Sequence, residues 1–138
     1  MMRQLLLAII ASLLLGSLCA ADIVVVVNPD SGVESLSQDD AINIFMGRYK
    51  QLPSGITALP VDLQQARAAF YQKLVGKTLA EINSYWARLV FSGQGSPPRQ
   101  LTSAEEVIDA VSNNRGAIGY LDRQYVDDRV RVVLAFTP

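Results

Sequence analysis

Residues 59–70 read Leu-Pro-Val-Asp-Leu-Gln-Gln-Ala-Arg-Ala-Ala-Phe. They predict the end of a strand over 57–61, a tight connection, and a helix over about 64–75, because Ala66, Ala69 and Phe70 recur at helical spacing. A helix start has unpaired N–H groups and the positive end of the helix dipole. The corner is therefore either an anion-binding site or an ordinary connection between a strand and a helix.

Upstream of this corner, residues 23–27 are five β-branched residues in a row. A run without polar alternation is typical of a strand that is covered on both faces. Turn residues follow at 28–32, and Ser37 then predicts the start of a helix that ends at Gly47. The beginning of the chain therefore predicts a buried strand, a turn and a helix.

Downstream, capping-box patterns at Thr78 and Ser103 predict two more helices, separated by a loop over 92–98. Two apolar runs, 116–121 and 130–136, predict the last strands. The element order is β-α-β-α-α-α-β-β, which favours an α/β fold with some parallel pairing. The predicted core contains the following large side chains: Phe45, Phe70, Trp86 and Ile118.

The amino terminus has the pattern of a secretory signal. Arg3 precedes an aliphatic run over 5–15, and small residues follow at 19–21. We expect residues 1–21 to be a cleaved signal peptide and 22–138 to be one periplasmic domain, with no membrane insertion after cleavage. The alternatives are a retained membrane anchor, which the short apolar run disfavours, and a lipoprotein attached through Cys19.

The composition argues against an enzyme. There is no histidine, and the single cysteine lies in the predicted signal peptide. The adjacent carboxylates at 39–40 and 127–128 would point apart, so neither pair forms a shared-proton dyad. With 12 basic and 13 acidic residues, nothing predicts a nucleic-acid partner. We therefore predict no catalytic residue, no metal site and no cofactor.

Several stretches resemble one family in their order and spacing: residues 25–29, 36–37, 44–47, 66–70 and 116–120. They are similar to the substrate-binding proteins of phosphate ABC transporters, which are type II periplasmic binding proteins. The resemblance implies one lobe of that α/β fold, a mixed sheet flanked by helices. Members of the family have two lobes and usually more than twice this length, so the chain resembles a truncated, single-lobe member.

The resemblance also implies a ligand site. The family typically reads Ser-Gly-Thr before Arg-x-x-Phe, whereas this chain has Gln64, Gln65 and Ala66 there, followed by Arg67. Arg67 is a candidate anion ligand, and a solvated helix residue is its alternative interpretation. The implied ligand residues, expected on one open face with the 93–98 loop, are Asn28, Ser31, Gly32, Gln64, Gln65 and Arg67.

Two functions follow from this resemblance. The first is an exported, non-catalytic domain that binds phosphate or a related oxyanion weakly and is linked to phosphate uptake or sensing. The second is an envelope protein-interaction module that has the same fold and has lost small-ligand binding. In either case a homodimer or an envelope protein partner is expected on the open face, because an exposed patch commonly marks an interaction site.

Overall fold

The structure is a computed structural model that describes residues 21–136. The predicted signal peptide therefore lies outside the described residues, apart from its last position. Within 21–136, no helix combines the length and the apolar character needed to cross a membrane.

Five strands form one mixed sheet in the order β3-β2-β4-β1-β5. β2 runs parallel to β3 and β4, whereas β1 runs antiparallel to its neighbours β4 and β5. The strand bounds are β1 Ile23–Val27, β2 Leu59–Leu63, β3 Arg99–Leu101, β4 Ala117–Asp122 and β5 Arg131–Ala135.

Four α-helices and two 3-10 helices connect these strands. The α-helices are α1 Gln38–Phe45, α2 Arg67–Val75, α3 Leu79–Phe91 and α4 Ala104–Ser112. The 3-10 helices are Gln64–Ala66, directly before α2, and Arg123–Tyr125, directly after β4. The predicted element order thus lacks one strand, β3, which has three residues and lies between the predicted 92–98 loop and the helix that starts at Ser103.

The helices cover both faces of the sheet, as alternate residues of β4 show. A Cβ at Gly119 would lie about 3 Å from Val61 and Val107, so this position faces α4. Tyr120 faces the other layer and stacks on Phe70 of α2 with ring centroids 3.6 Å apart. All of β1 is buried. The predictions of a strand covered on both faces and of an α/β fold are therefore confirmed.

The predicted core is confirmed as well. Phe45, Phe70 and Ile118 have no measurable exposure, and Trp86 is 4% exposed. The apolar cluster runs continuously through both layers. Its burial supplies the main favourable term for folding. The described residues contain no cysteine, so no disulfide among them adds to that term.

Candidate functional site

The corner between β2 and α2 has a helix start with no capping side chain. No side chain accepts a hydrogen bond from the start of the Gln64–Ala66 3-10 helix or of α2, and neither has an acidic residue in its first turn. By contrast, Ser37, Thr78 and Ser103 cap α1, α3 and α4, and each of those helices has acidic residues in its first turn. Among the α-helices of residues 21–136, α2 is thus the one whose start has neither a side-chain cap nor an acidic residue, an arrangement that favours an outside anion near the start of the preceding 3-10 helix.

Gln64 and Gln65 are exposed at this corner. Gln65 lines an open cavity of about 390 Å³ together with Ser103, Ala104, Glu105, Ile108 and Tyr125. The cavity lies at the carboxyl ends of the parallel strands, where open α/β sheets commonly bind ligands. The one carboxylate in its lining is Glu105, which forms an ion pair with Arg129 at 2.8 Å.

Arg67 is 7% exposed, so the alternative interpretation of a solvated helix residue is wrong. Its Nε donates to Asp62 Oδ2 at 3.2 Å, and its Nη1 donates to Asn83 Oδ1 at 2.8 Å. The guanidinium carbon also lies 5.8 Å from the centre of the Tyr71 ring. Most of the guanidinium is therefore used inside the protein, which weakens its attraction for a bound anion.

Asp62 holds Arg67 in place and is fully buried. Its Oδ1 accepts hydrogen bonds from the hydroxyls of Tyr71, at 2.8 Å, and Tyr120, at 3.0 Å. Burial raises the pKa of the Asp62 carboxyl, and the hydrogen bonds from Tyr71, Tyr120 and Arg67 oppose that rise. Burial also raises the pKa of both tyrosines. Because Asp62 has no exposed surface and bonds to Arg67, the cluster serves to position Arg67.

Sequence reasoning missed the Asp62 cluster. A signal was present, since Asp62 is a charged residue between two apolar residues of a strand and stands five positions before Arg67. A buried carboxylate needs a partner, and Arg67 was available. Tyr120 could not be assigned to the cluster from sequence, because the pairing of β4 with β2 brings it there.

Asn28 and Ser31 shape a turn rather than present free polar groups. The Asn28 amide donates to the carbonyls of Val111 and Ser112, at 2.9 and 3.0 Å, at the carboxyl end of α4. The Ser31 hydroxyl is buried and accepts a hydrogen bond from the Val33 N–H at 3.2 Å. Both side chains therefore already have partners within the protein.

Gly32 adopts a φ of +78°, a conformation that favours glycine, and a Cβ there would lie 3.0 Å from the Cβ of Ser54. The turn over 28–32 thus depends on this glycine. Glycine is therefore needed at position 32 for the backbone of the turn itself, whether or not a ligand binds there.

The six predicted ligand residues lie at two opposite ends of the sheet. Val27 pairs with Ile118 near the start of β4, and Leu59 at the start of β2 pairs with Ala117. The 28–32 turn is therefore at the amino ends of β2 and β4, whereas Gln64 and Gln65 follow the carboxyl end of β2. A five-residue strand spans roughly 13–17 Å. The expectation of one open face that contains both groups is wrong, because β1 runs antiparallel to β4.

No group of three or more Asp, Glu, His or Cys side chains within residues 21–136 is placed to hold a metal ion. The charged groups near the corner are instead engaged with opposite charges: Asp62 with Arg67, and Glu105, Asp109 and Asp127 with Arg129. The chemistry available at the corner is therefore hydrogen bonding from amides and helix N–H groups.

Comparison with known proteins gives matches among solved structures. No family model and no curated protein matches the sequence. An ABC-type phosphate transport receptor from Vibrio cholerae is similar, with a TM-score of 0.64 and 16% identity over 82% of this chain and 45% of that one. A putative phosphate ABC transporter substrate-binding protein from Clostridium perfringens, with bound phosphate, has a TM-score of 0.65 and 19% identity. The match covers 82% of this chain and 44% of that one. PstS from Borrelia burgdorferi has a TM-score of 0.62 and 13% identity, and the match covers 86% of this chain and 49% of that one.

The chain thus spans less than half the length of the solved structures that it matches. The similarity covers most of this chain and includes its mixed sheet and flanking helices. The protein therefore has the α/β fold of one lobe-sized part of the substrate-binding proteins of phosphate ABC transporters, as the resemblance in sequence implied.

Proposed function

We propose that this chain is an exported, non-catalytic domain that binds phosphate or a related oxyanion weakly and is linked to phosphate uptake or sensing. The observation that carries the proposal is the open helix start after β2, in a fold shared with a protein described as having bound phosphate. An anion there would meet helix N–H groups and the amides of Gln64 and Gln65.

The expected affinity is low for two reasons. The resemblance places Gln64, Gln65 and Ala66 where the family has Ser-Gly-Thr, so hydroxyl donors and a glycine are missing. In addition, the charge of Arg67 is largely neutralised by Asp62 at 3.2 Å. We expect a dissociation constant no better than about millimolar, or near −4 kcal/mol.

Calorimetry with inorganic phosphate at physiological salt tests the proposal. Gln65→Glu places a like charge at the open helix start and should weaken phosphate binding at least tenfold. Gln72→Glu is the matched control, since Gln72 is exposed on α2 beyond its first turn. Absence of binding at about ten times the expected constant, or equal binding by both variants, would contradict the proposal.

A dissociation constant near micromolar would point to a different arrangement, in which a second copy supplies the other half of the site. Sedimentation of the protein with and without phosphate would then show association. The prediction of one partner face included both Gln65 and Gln94, which lie at opposite ends of the sheet. Separate charge substitutions at the two residues show in the same measurement which end, if either, contacts a partner.

An envelope protein-interaction module is the second candidate, and one observation favours it. Phe91 at the end of α3 is 96% exposed, and its neighbour Val90 is 53% exposed. Aromatic side chains are common anchors of protein interfaces. If Phe91 is such an anchor in a homodimer, Phe91→Ser should lower the sedimentation coefficient at micromolar protein, and an unchanged coefficient counts against the homodimer.

Export to the periplasm follows from the charged start, the aliphatic run and the small residues of positions 1–21. Intact mass measurement of the protein from a fractionated cell should give a chain that begins at residue 21 or 22. Recovery of the full 138-residue chain, or of a lipid on Cys19, would contradict this proposal.

A further inference from the structure

A second cavity of about 460 Å³ lies at the amino ends of β2 and β3, at the opposite end of the sheet from Gln65. Its walls come from the segment after α1, from α3, from the loop before β3 and from the end of α4. The volume is in the range of small-molecule sites. None of the six residues that the sequence implied as ligands lines this cavity.

The charged side chains in the lining are both cationic. Lys50 and Arg99 line the cavity, and no aspartate or glutamate does so. Neither cation forms an ion pair with another described residue. The charge of Arg99 contributes to lowering the pKa of Glu106, but that carboxylate accepts hydrogen bonds from Thr102 and does not line the cavity. The rim therefore favours an anion.

The rest of the lining is largely apolar. Leu59, Pro60 and Pro97 contribute hydrocarbon surface, and Leu59 is half exposed. Tyr49 adds an aromatic ring that is also half exposed. Such a wall suits a ligand that has an apolar body, since a small inorganic anion would leave that surface uncovered.

Trp86 also lines the cavity and has an unsatisfied donor. It is 4% exposed, and its buried indole Nε1–H has no hydrogen-bond partner within residues 21–136. Gly47 allows the chain to approach the ring closely, because a Cβ there would lie 2.8 Å from it, and Gly95 also lies beside the ring. The Trp86 ring is therefore a fixed, largely buried part of the cavity wall.

We propose that this cavity is a binding site for a small organic carboxylate with an apolar body, which Lys50 and Arg99 hold at the rim and which packs against the apolar wall that includes the Trp86 ring. The charges select the carboxylate, and the proline and leucine surfaces select the apolar body. The site is independent of the proposed phosphate site, because the two lie at opposite ends of β2.

Octanoate is a suitable probe, and Trp86 is the single tryptophan of the chain. Titration into ¹⁵N-labelled protein should shift the one indole N–H resonance in a saturable way. Octanamide has the same apolar body without the charge, and it should bind at least tenfold more weakly. Inorganic phosphate should not displace octanoate.

The Lys50→Gln/Arg99→Gln double variant should weaken octanoate binding at least tenfold, and both side chains are exposed, so the fold should persist. Lys73→Gln/Arg88→Gln removes two exposed cations outside the cavity and should bind octanoate as the parent does. Absence of a saturable shift up to about 10 mM octanoate would overturn the proposal. So would equal binding of octanoate and octanamide, equal binding by the two double variants, or displacement of octanoate by phosphate.

Discussion

Asp62→Asn should destabilise the protein strongly, although it changes one buried atom. The Asp62 carboxylate accepts two tyrosine hydroxyls at Oδ1 and the Arg67 guanidinium at Oδ2. In the variant, an amide oxygen can still accept from both tyrosines. The amide nitrogen then faces the Nε–H of Arg67, so two donors meet and a buried cation loses its counter-charge.

Removal of one partner of a buried ion pair costs about 3–5 kcal/mol, which is a large share of a total stability of about 5–15 kcal/mol. For a domain of this size the melting temperature should fall by roughly 10–25 °C. Urea unfolding followed by the fluorescence of Trp86 measures the change directly. Asp128→Asn is the matched control, since Asp128 is exposed, and its effect should stay within about 0.5 kcal/mol.

The double variant Asp62→Asn/Arg67→Gln sharpens this test. Each single change leaves the other partner buried without its counter-charge, whereas the double change removes both charges together. Its cost should therefore be smaller than the sum of the single costs by about 0.5–3 kcal/mol. If Asp62→Asn unfolds within about 1 kcal/mol of the parent, the cluster contributes little and our account of Arg67 is wrong.

Three further changes test other parts of the fold. Trp86→Ala should cost about 3–5 kcal/mol, and a melting temperature within a few degrees of the parent would contradict the importance of its burial. Gly47→Ala should lower the free energy of unfolding by about 2–4 kcal/mol, because φ is +75° and the new Cβ would lie 2.8 Å from Trp86. Unchanged urea unfolding of this variant would count against that expectation. Hydrogen bonds from Arg129 lower the pKa of Glu105 and Asp127 in the folded protein. The unfolded chain therefore binds more protons at mildly acidic pH, and stability is lost as the pH falls through the folded-state pKa values. Urea midpoints of the parent and Arg129→Gln should therefore differ at about pH 7. The difference should shrink as the pH falls below about 4, whereas a constant difference would contradict the linkage.

Much of the fold follows from local patterns. The β-branched run of β1 predicted burial on both faces, and the caps at Ser37, Thr78 and Ser103 are observed at the predicted helix starts. β3 was missed because it has three residues, two of them exposed, and no alternating pattern. The start of α2 was placed too early, since Gln64–Ala66 forms a 3-10 helix. Periodicity alone does not separate the two helix types when the first turn is polar.

The arrangement of the candidate site was less predictable. The resemblance singled out both Asn28 and Gln65, but the relative direction of β1 and β4 decides that they lie at opposite ends of the sheet. The relative direction of two strands depends on long-range pairing, so a short sequence motif does not predict it. The cavity beside Trp86 likewise requires segments that are distant in sequence, and the apolar spacing of α3 indicated only that Trp86 is buried.

The position of β1 in the sheet has a consequence for how the chain folds. β1 is the first strand of the described residues, yet it lies between β4 and β5, which come last. Its partners are roughly a hundred residues away, so the contact order of the central pairings is high and folding is expected to be slow. A chain that leaves the ribosome cannot complete its sheet until the final strand has been made. Until then the valine-rich strand β1 lacks its partners, and an unpaired apolar strand exposes the chain to aggregation during folding.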